Sequence, residues 1–443
     1  MISTAETLSL SRRAHRAIPA GCHTYSKGDD QFPCNAPGFI VSGKGAHVRD
    51  TAGNEFLDWG MGLRSVILGH AHPGVVDAVV AELRRGSNFT RPSPLETLLA
   101  EDLIELIPCA EMVKFAKNGS DVTTASLRLA RAATGRDLVA FPREHPFHSA
   151  DDWFIGTTPV DAGVPDATKR LSLTFPYGDL RALRELFVAH PGQIAAVIME
   201  PATDAPPPTG YLEGVRELTR REGAVLIFDE IITGFRWHEG GAQTLYGVTP
   251  DMATFGKAIA NGFSVTALVG RREIMELGGL EHDRPRVFLL SSTHGGETHS
   301  LAAARATIAE IREVEAVGHI WRIGAELQKG LEAAARAAGV AAVVSFRGYP
   351  CSPVLTFDAG EPEYSAALRT LFLQETVADG ILMPYIAPSA SHCTDDVDRT
   401  SEAAARAFAR VREALDGAPL SGLLRGPSVK PVFRRFNAKG VTT

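Results

Sequence analysis

The chain has 443 residues, 44% of them hydrophobic and 22% charged, with 45 Lys and Arg against 52 Asp and Glu and a net charge of −7. This composition excludes a disordered, collagen-like or fibrous chain, and at ~100–200 residues per domain it leaves room for two or three lobes. The acidic balance argues against sequence-independent nucleic-acid binding and against a polybasic membrane anchor, since both need a basic surface. No apolar run reaches the ~18 residues of a membrane span. Arg12, Arg13 and Arg16 follow the weakly apolar start instead of preceding it, the reverse of a secretory leader. The five cysteines (Cys22, Cys34, Cys109, Cys351 and Cys393) are scattered, with no zinc spacing and no CxxC pair. Reduced thiols in a cytoplasmic protein, with no metal site, are the expectation.

In chain order, a helix is predicted over Ala5–Ile18, followed by a Gly/Asp/Pro-rich stretch from Gly21 to Gly38. FIVSGKGAHVRDTAGNEFLDW reads as a two-strand pattern whose turn is Thr51-Ala52-Gly53-Asn54. Thr123–Thr134 has helical spacing and is stopped by Gly135. An apolar run at Ala195–Glu200, a helix at Tyr211–Arg221 and a second apolar run at Ala224–Phe228 follow. Continuous apolar strands separated by helices are the mark of a parallel sheet covered on both faces. The texture then changes. Leu301–Val314 and Ile320–Ala337 are long, Ala-rich and amphipathic; short strands are predicted at Ala341–Phe346 and Ser352–Phe357, and a helix at Glu402–Leu415. These form a smaller α/β lobe. Leu423–Thr443 carries five basic residues and no acidic one. Such a tail is expected to lie on the protein's own acidic surface or on a partner subunit, not on nucleic acid.

Two segments carry chemistry. In AVLIFDE (Ala224–Glu230) an apolar strand ends in two acids, and ligands of open parallel sheets collect outside the carboxyl ends of strands. Asp229 therefore stands where a cofactor binds, and its burial calls for a cationic partner such as a protonated pyridine nitrogen. A capping or salt-bridged aspartate is the plainer alternative. In TPDMATFGKAIANG (Thr249–Gly262), small residues on either side of Lys257 leave room beside its amine. A lysine in a tight apolar setting can act as a nucleophile toward an aldehyde, although most single lysines are simply solvated. The turn NGSD before the Thr123 helix places Gly119 and Ser120 at a helix N-terminus, where backbone N–H groups bind phosphate or merely accept a cap.

The run Glu230–Lys257, together with GNEFLDW, ILGHAHP, NGSDVTTASLRLARAATGRD, IMEP, FDEIITGFR, GKAIANGF, SSTHGGET and SHCTDD in collinear order, resembles the class III pyridoxal-phosphate aminotransferases, and among them the glutamate-1-semialdehyde aminomutase branch. The resemblance implies fold type I: a large domain with a mainly parallel seven-stranded sheet, and a smaller α/β domain. Residues 1–60 would join the small domain, 61–300 would form the cofactor domain and 301–443 the small C-terminal domain. Lys257 would carry the aldehyde of pyridoxal phosphate on its ε-amine and then shuttle a proton. Asp229 would pair with the pyridinium nitrogen, and Gly119 and Ser120 would hold the phosphate. Thr293 would reach the phosphate of the neighbouring subunit's cofactor, making a homodimer with shared active sites. Phe147 and His148 fall where the family places a ring-stacking aromatic followed by His, after a short insertion. Glu200, in MEP, reads as a structural or cofactor-side carboxylate.

Departures from the branch concern the substrate. Lys27 stands where the aminomutases carry a carboxylate-binding arginine, with Thr24 and Tyr25 beside it, and lysine cannot make arginine's two-pronged contact. The loop YIAPSASHCTDD is also short. The resemblance thus implies a transaminase that takes an amino group from an amino-acid donor to an aldehyde or ketone on a polar, sugar-like molecule, as in surface-polysaccharide or secondary-metabolite pathways. Three alternatives stay open: an intramolecular 2,1-aminomutase, a decarboxylase or racemase, and a non-catalytic binding protein on the same scaffold.

Overall fold

The computed structural model describes residues 4–145 and 147–434. Its contacts divide the chain into two compact units, one formed by the segment up to His72 with Val314–Arg434, the other by Pro73–Glu313.

The Pro73–Glu313 unit is built on seven strands: β1 (Met112–Ala116), β2 (Leu138–Pro142), β3 (Ser172–Phe175), β4 (Ile194–Met199), β5 (Val225–Asp229), β6 (Met252–Phe255) and β7 (Thr266–Gly270). Their order across the sheet is β1-β7-β6-β5-β4-β2-β3. β3, β2, β4, β5 and β6 pair in parallel, and β7 runs antiparallel to both β6 and β1. Every residue of β4, β5, β6 and β7 is buried, which is why these segments read as unbroken apolar runs and not as alternating ones. Helices α1 (Gly119–Thr134), α2 (Leu180–Ala189) and α3 (Tyr211–Glu222) connect strands of this sheet. α1 begins earlier than its apolar spacing suggests because Asn118 and Asp121 form a reciprocal capping box, and it closes on Gly135 at φ +68°. The amino ends of the central strands are sealed by Asp251. Its Oδ2 accepts from Arg216 Nη1 at 2.7 Å and from the Leu226 amide at 2.8 Å, and its Oδ1 accepts from Arg271 at 3.1 Å.

The other unit has a four-stranded sheet in the order Ile40–Lys44, His47–Asp50, Glu55–Asp58, Ile381–Leu382, and a hairpin of Val344–Tyr349 with Ser352–Phe357. Helices Ala316–Ala337, Pro362–Ala378 and Thr394–Leu415 supply its core, where Phe372 stacks on Phe408 at 4.7 Å. The anticipated two-strand pattern is a three-strand meander: Gly45, at φ +58°, makes an additional turn before the expected one. In that second turn Asp50 Oδ1 accepts the amides of Ala52 and Asn54. Helix Thr298–Glu313, expected in the C-terminal lobe, groups by contacts with the seven-stranded unit. The described part of the basic tail lies along its own unit: Arg434 pairs with Asp30, the Lys430 amide donates to Asp30 O at 2.9 Å, and the Val429 amide donates to Thr370 Oγ1 at 3.0 Å. Residues 435–443 lie outside the described residues.

All five cysteines are unpaired, with Cys109 and Cys351 buried and Cys34 and Cys393 exposed. No described helix is long and apolar enough to cross a membrane, and no described group of His, Cys, Asp and Glu is arranged to hold a metal ion.

Trp59 joins the sheet to the helices of the same unit, stacking on His392 at 4.0 Å and donating from Nε1 to Thr400 Oγ1 at 2.9 Å. Burial holds the His392 imidazole neutral, with its pKa lowered to about 4. The unfolded chain therefore takes up a proton near pH 6.5 that the folded chain refuses until about pH 4, so stability falls as pH drops through that window. Acidification from pH 7 to 4 should remove about 3 kcal/mol through this residue, and His392→Phe should flatten that part of the pH profile. Urea unfolding at a series of pH values checks it; an unchanged profile in His392→Phe would show that another group carries the acid sensitivity.

Candidate active site

The carboxyl ends of β5 and β6 are adjacent, with Asp229 in register with Thr254. Lys257 follows three residues beyond Thr254, so the two sequence candidates rise from neighbouring strand ends. Lys257 opens a short 3-10 turn, Lys257–Ala260, with its own backbone at φ +45°. Its flanks are buried: a Cβ at Gly256 would sit tightly against Thr266 Cγ2 at 3.0 Å and Ile231 Cγ2 at 3.3 Å.

Asp229 is 4% exposed. Its Oδ1 accepts from Thr254 Oγ1 at 3.1 Å and from the Ile231 amide at 3.2 Å, and its Oδ2 faces His148 Nδ1 at 2.7 Å. His148 Nε2 in turn lies 3.0 Å from His145 Nδ1. His145 Nδ1 also receives the Glu200 backbone N–H at 3.3 Å. An amide can only donate, so this imidazole nitrogen is a lone-pair acceptor and His148 Nε2 is the donor to it. Burial, with His148 as a lesser cause, holds His145 neutral by lowering its pKa well below the ordinary value. One further proton sits between His148 Nδ1 and Asp229 Oδ2. Neither an imidazolium with a carboxylate nor an imidazole with a carboxylic acid leaves the pair a net charge.

Loop 147–151, which carries His148, is held by the first turns of α1. Thr123 Oγ1 donates to the His148 carbonyl at 3.0 Å, the Ala150 amide donates to Ser120 Oγ at 2.8 Å, and Trp153 Nε1 donates to Thr124 Oγ1 at 2.8 Å. The N-terminus of α1 is fixed from the other side: Thr266 Oγ1 donates to Asn118 O at 3.1 Å, and Lys117 Nζ binds Glu297 at 2.7 Å and Ser300 Oγ at 3.0 Å. The cap uses the Asp121 amide and leaves those of Gly119 and Ser120 outside its hydrogen bonds. A Cβ at Gly119 would meet Ile231 Cδ1 at 2.7 Å, so a larger residue there would have to turn the end of the Ile231 side chain aside.

Glu230, next to Asp229, points elsewhere. It is fully buried and accepts from Thr233 Oγ1 at 2.5 Å, the Ala242 amide at 2.6 Å and the Gln243 amide at 2.9 Å. It locks the loop after β5. Glu200 is buried at the end of β4 and contributes its amide to the histidine chain.

The remaining candidates are more dispersed. Phe147 is exposed and packs edge-on against Phe154 at 5.7 Å. Thr293 is exposed, and its carbonyl accepts from Asn88 at 3.0 Å. Thr24, Tyr25 and Lys27 belong to the other unit, in a 3-10 turn at Tyr25–Lys27, with Tyr25 and Lys27 exposed.

A strand-end carboxylate, an amine at the next strand end and backbone amides that the cap of a helix N-terminus does not use suit a flat heterocycle bearing a ring N–H, an aldehyde and a phosphate. The family profile described as "Aminotransferase class-III" matches residues 25–383. The chain belongs to the class III aminotransferases. Pyridoxal phosphate is the cofactor of that family, as the sequence resemblance implied, and the seven-stranded, largely parallel sheet is the fold-type-I architecture it called for. The chain is 35% identical to a glutamate-1-semialdehyde 2,1-aminomutase of Pelotomaculum thermopropionicum over 433 residues, covering 91% of this chain and 97% of that relative. It is also 35% identical to a 3-aminobutyryl-CoA aminotransferase of Cloacimonas acidaminovorans over 431 residues, covering 94% and 99%. Among solved structures, the FumI protein of Sphingopyxis sp. MTA144, determined with pyridoxal phosphate attached, superposes with a TM-score of 0.86 at 28% identity over 95% of this chain and all of that one.

Sequence reasoning missed His145 and Thr254 in this class III site. Thr254 hides inside an apolar strand. The HPFH wording set two histidines three apart and was the available signal for His145. Replacing His145 with Leu strands the His148 Nε2–H and the Glu200 N–H in a buried space, and should lower stability by about 1–3 kcal/mol. His145→Asn, which keeps an acceptor oxygen, should recover most of that loss. Urea unfolding of the cofactor-free chain measures both; equal losses in the two variants would mean that the acceptor does not matter.

Proposed function

We propose that this protein is a pyridoxal-phosphate-dependent transaminase that takes an amino group from an amino-acid donor and passes it to an aldehyde or ketone on a polar molecule. The observation that carries the reading is the placement of Asp229 and Lys257 at the carboxyl ends of paired strands, with Asp229 buried and tied to His148. Bound pyridoxal phosphate supplies an electron sink for the carbanion left when a substrate proton departs. Asp229 would accept the ring N–H and keep that nitrogen protonated, while His148 and Thr254 fix the carboxylate against rotation. The amides of Gly119 and Ser120 hold the phosphate at the positive end of α1. Lys257 Nζ would hold the cofactor through its aldehyde and would serve as the acid and base for the substrate proton. Phe147 would pack against the ring. Lys27, with Thr24 and Tyr25, meets the polar groups of the substrate, and Thr293 completes the partner subunit's phosphate site in a homodimer.

A second reading, an intramolecular 2,1-aminomutase, is supported by the similarity to the Pelotomaculum enzyme. The equal identity to an aminotransferase, and a lysine at position 27 where the aminomutase branch has arginine, favour the transaminase. The protein incubated with pyridoxal phosphate should show a visible absorption band, and Lys257→Ala should abolish that form of the band and cut turnover by about 10²–10⁴-fold. Mixing the loaded protein with single amino acids should release a stoichiometric keto acid from at least one. Release of none, with an amino group migrating within one substrate, would establish the mutase. A protein that takes up no cofactor would remove both readings.

A further inference from the structure

The histidines behind Asp229 hold more protons than the alignment of a carboxylate requires. The side chain of His148 has no exposed surface. Phe141 and Phe154 meet its ring edge-on, with centroids at 6.1 and 5.7 Å, and Trp153 lies nearly parallel to it at 6.3 Å. Both of its nitrogens are engaged: Nδ1 faces Asp229 Oδ2 at 2.7 Å and Nε2 faces His145 Nδ1 at 3.0 Å.

The Glu200 backbone N–H decides which way the second contact runs. It reaches His145 Nδ1 at 3.3 Å, so that nitrogen offers a lone pair and His148 Nε2 brings the proton. A simpler arrangement exists for a histidine beside a carboxylate. With a single proton on Nδ1, a neutral His148 would satisfy Asp229. His145 blocks that tautomer, because two lone pairs would then meet at 3.0 Å. The block has a cost. The proton of His145 itself sits on Nε2, which is buried and has no hydrogen-bond partner among the described residues. A buried N–H without an acceptor is unfavourable, so the acceptor at Nδ1 is maintained against that cost. With Nε2 of His148 protonated, a bare Nδ1 would in turn face Asp229 Oδ2 lone pair to lone pair at 2.7 Å. The pair therefore keeps a second proton. Whenever Asp229 is the carboxylate that a ring N–H requires, His148 is an imidazolium.

We propose that His145 is a positioning residue for amino transfer: acting through His148, it holds a cation behind Asp229 and so leaves the ring N–H of the cofactor more acidic than an unaccompanied carboxylate would. This role rests on the reading that Asp229 accepts that N–H. Two cations on one carboxylate compete for it, so the imidazolium lowers the proton affinity at the ring nitrogen. With His145 replaced by Leu, His148 Nε2 loses its acceptor. The pair then releases one proton to solvent and settles as a neutral His148, with Nδ1–H toward Asp229 Oδ2, beside an unshared carboxylate. His145→Asn supplies an acceptor oxygen in place of Nδ1 and keeps the second proton.

The full chain, isotopically labelled at its histidine nitrogens and loaded with pyridoxal phosphate, reports the proton directly by magnetic resonance. His148 Nε2 should carry a bonded hydrogen in the wild-type and His145→Asn chains and none in His145→Leu. Each chain is also equilibrated with a mixture of pyridoxal phosphate and its carbocyclic analogue, which has C–H in place of the ring nitrogen, and the bound ratio is read by mass spectrometry. The ratio should favour pyridoxal phosphate in the wild type and stay near that value in His145→Asn. In His145→Leu it should rise about tenfold, equivalent to about one unit of proton affinity at the ring nitrogen. A merely structural His145 would weaken both compounds alike, and an unmoved ratio would overturn the role. Should His145→Leu fail to fold, a bare Nε2 on His148 in the wild-type chain would overturn it without any variant. A wild-type chain that holds the two compounds equally would instead remove the pairing of Asp229 with the ring nitrogen, which separates failure of that reading from failure of the role given to His145.

Discussion

A carboxylate that closes a wholly apolar strand, deep inside a protein, has to be satisfied by the groups that surround it. At Asp229 the partners are a threonine hydroxyl from the next strand, a backbone amide and a histidine, and the histidine is aligned by a second histidine whose acceptor nitrogen is set by the Glu200 amide. This chain of directed hydrogen bonds accounts for the arrangement of loop 147–151, for the hydroxyls that α1 spends on that loop and for the burial of the histidines. It also leaves the carboxylate pre-aligned. In the proposed function a ring nitrogen arriving at Asp229 would meet an acceptor already oriented by its neighbours, with little reorganisation left for the moment of binding.

The two ends of the same strands use acids in opposite ways. At the amino ends Asp251 is consumed by two arginines and a strand amide. At the carboxyl ends Asp229 is followed by Glu230, whose oxygens are filled by the loop that ends at Gln243. A Cβ at Gly241 would lie 2.6 Å from that carboxyl group, so the loop closes on the acid tightly. Consecutive acids thus divide the labour: one holds the scaffold and the other faces the site. The direction in which successive residues leave an extended strand makes that division possible.

What could be read in the sequence follows from the same geometry. Asp229 and Lys257 were legible as candidates because each follows a largely apolar run, and charged residues of a buried parallel sheet are confined to the strand ends. Gly119 was visible because a capping asparagine precedes it and a helical period follows. Thr254 was not, since a threonine inside MATF is indistinguishable from a β-branched core residue until its hydroxyl is seen to point at Asp229. His145 sits in a loop with no period to betray its direction. Helix Pro362–Ala378 escaped because LFLQETVA is buried on most sides and so shows little amphipathic contrast. Helix Thr394–Leu415 was read short because its opening turns, TDDVDRT, are polar, and what starts it is the cap between Cys393 and Asp396.

The backbone at Lys257 has a further meaning. At φ +45° the lysine occupies a conformation in which a side chain is disfavoured, and the turn it opens is capped by Asn261, itself left-handed at φ +46°. Glycine would rest there more comfortably than the residue the chemistry demands. The protein therefore surrenders some robustness at the residue to which the proposed function gives the reaction. A chain relieved of that lysine by glycine should be tougher, and on the proposed reading inert, so that reactivity and durability would draw on the same few atoms.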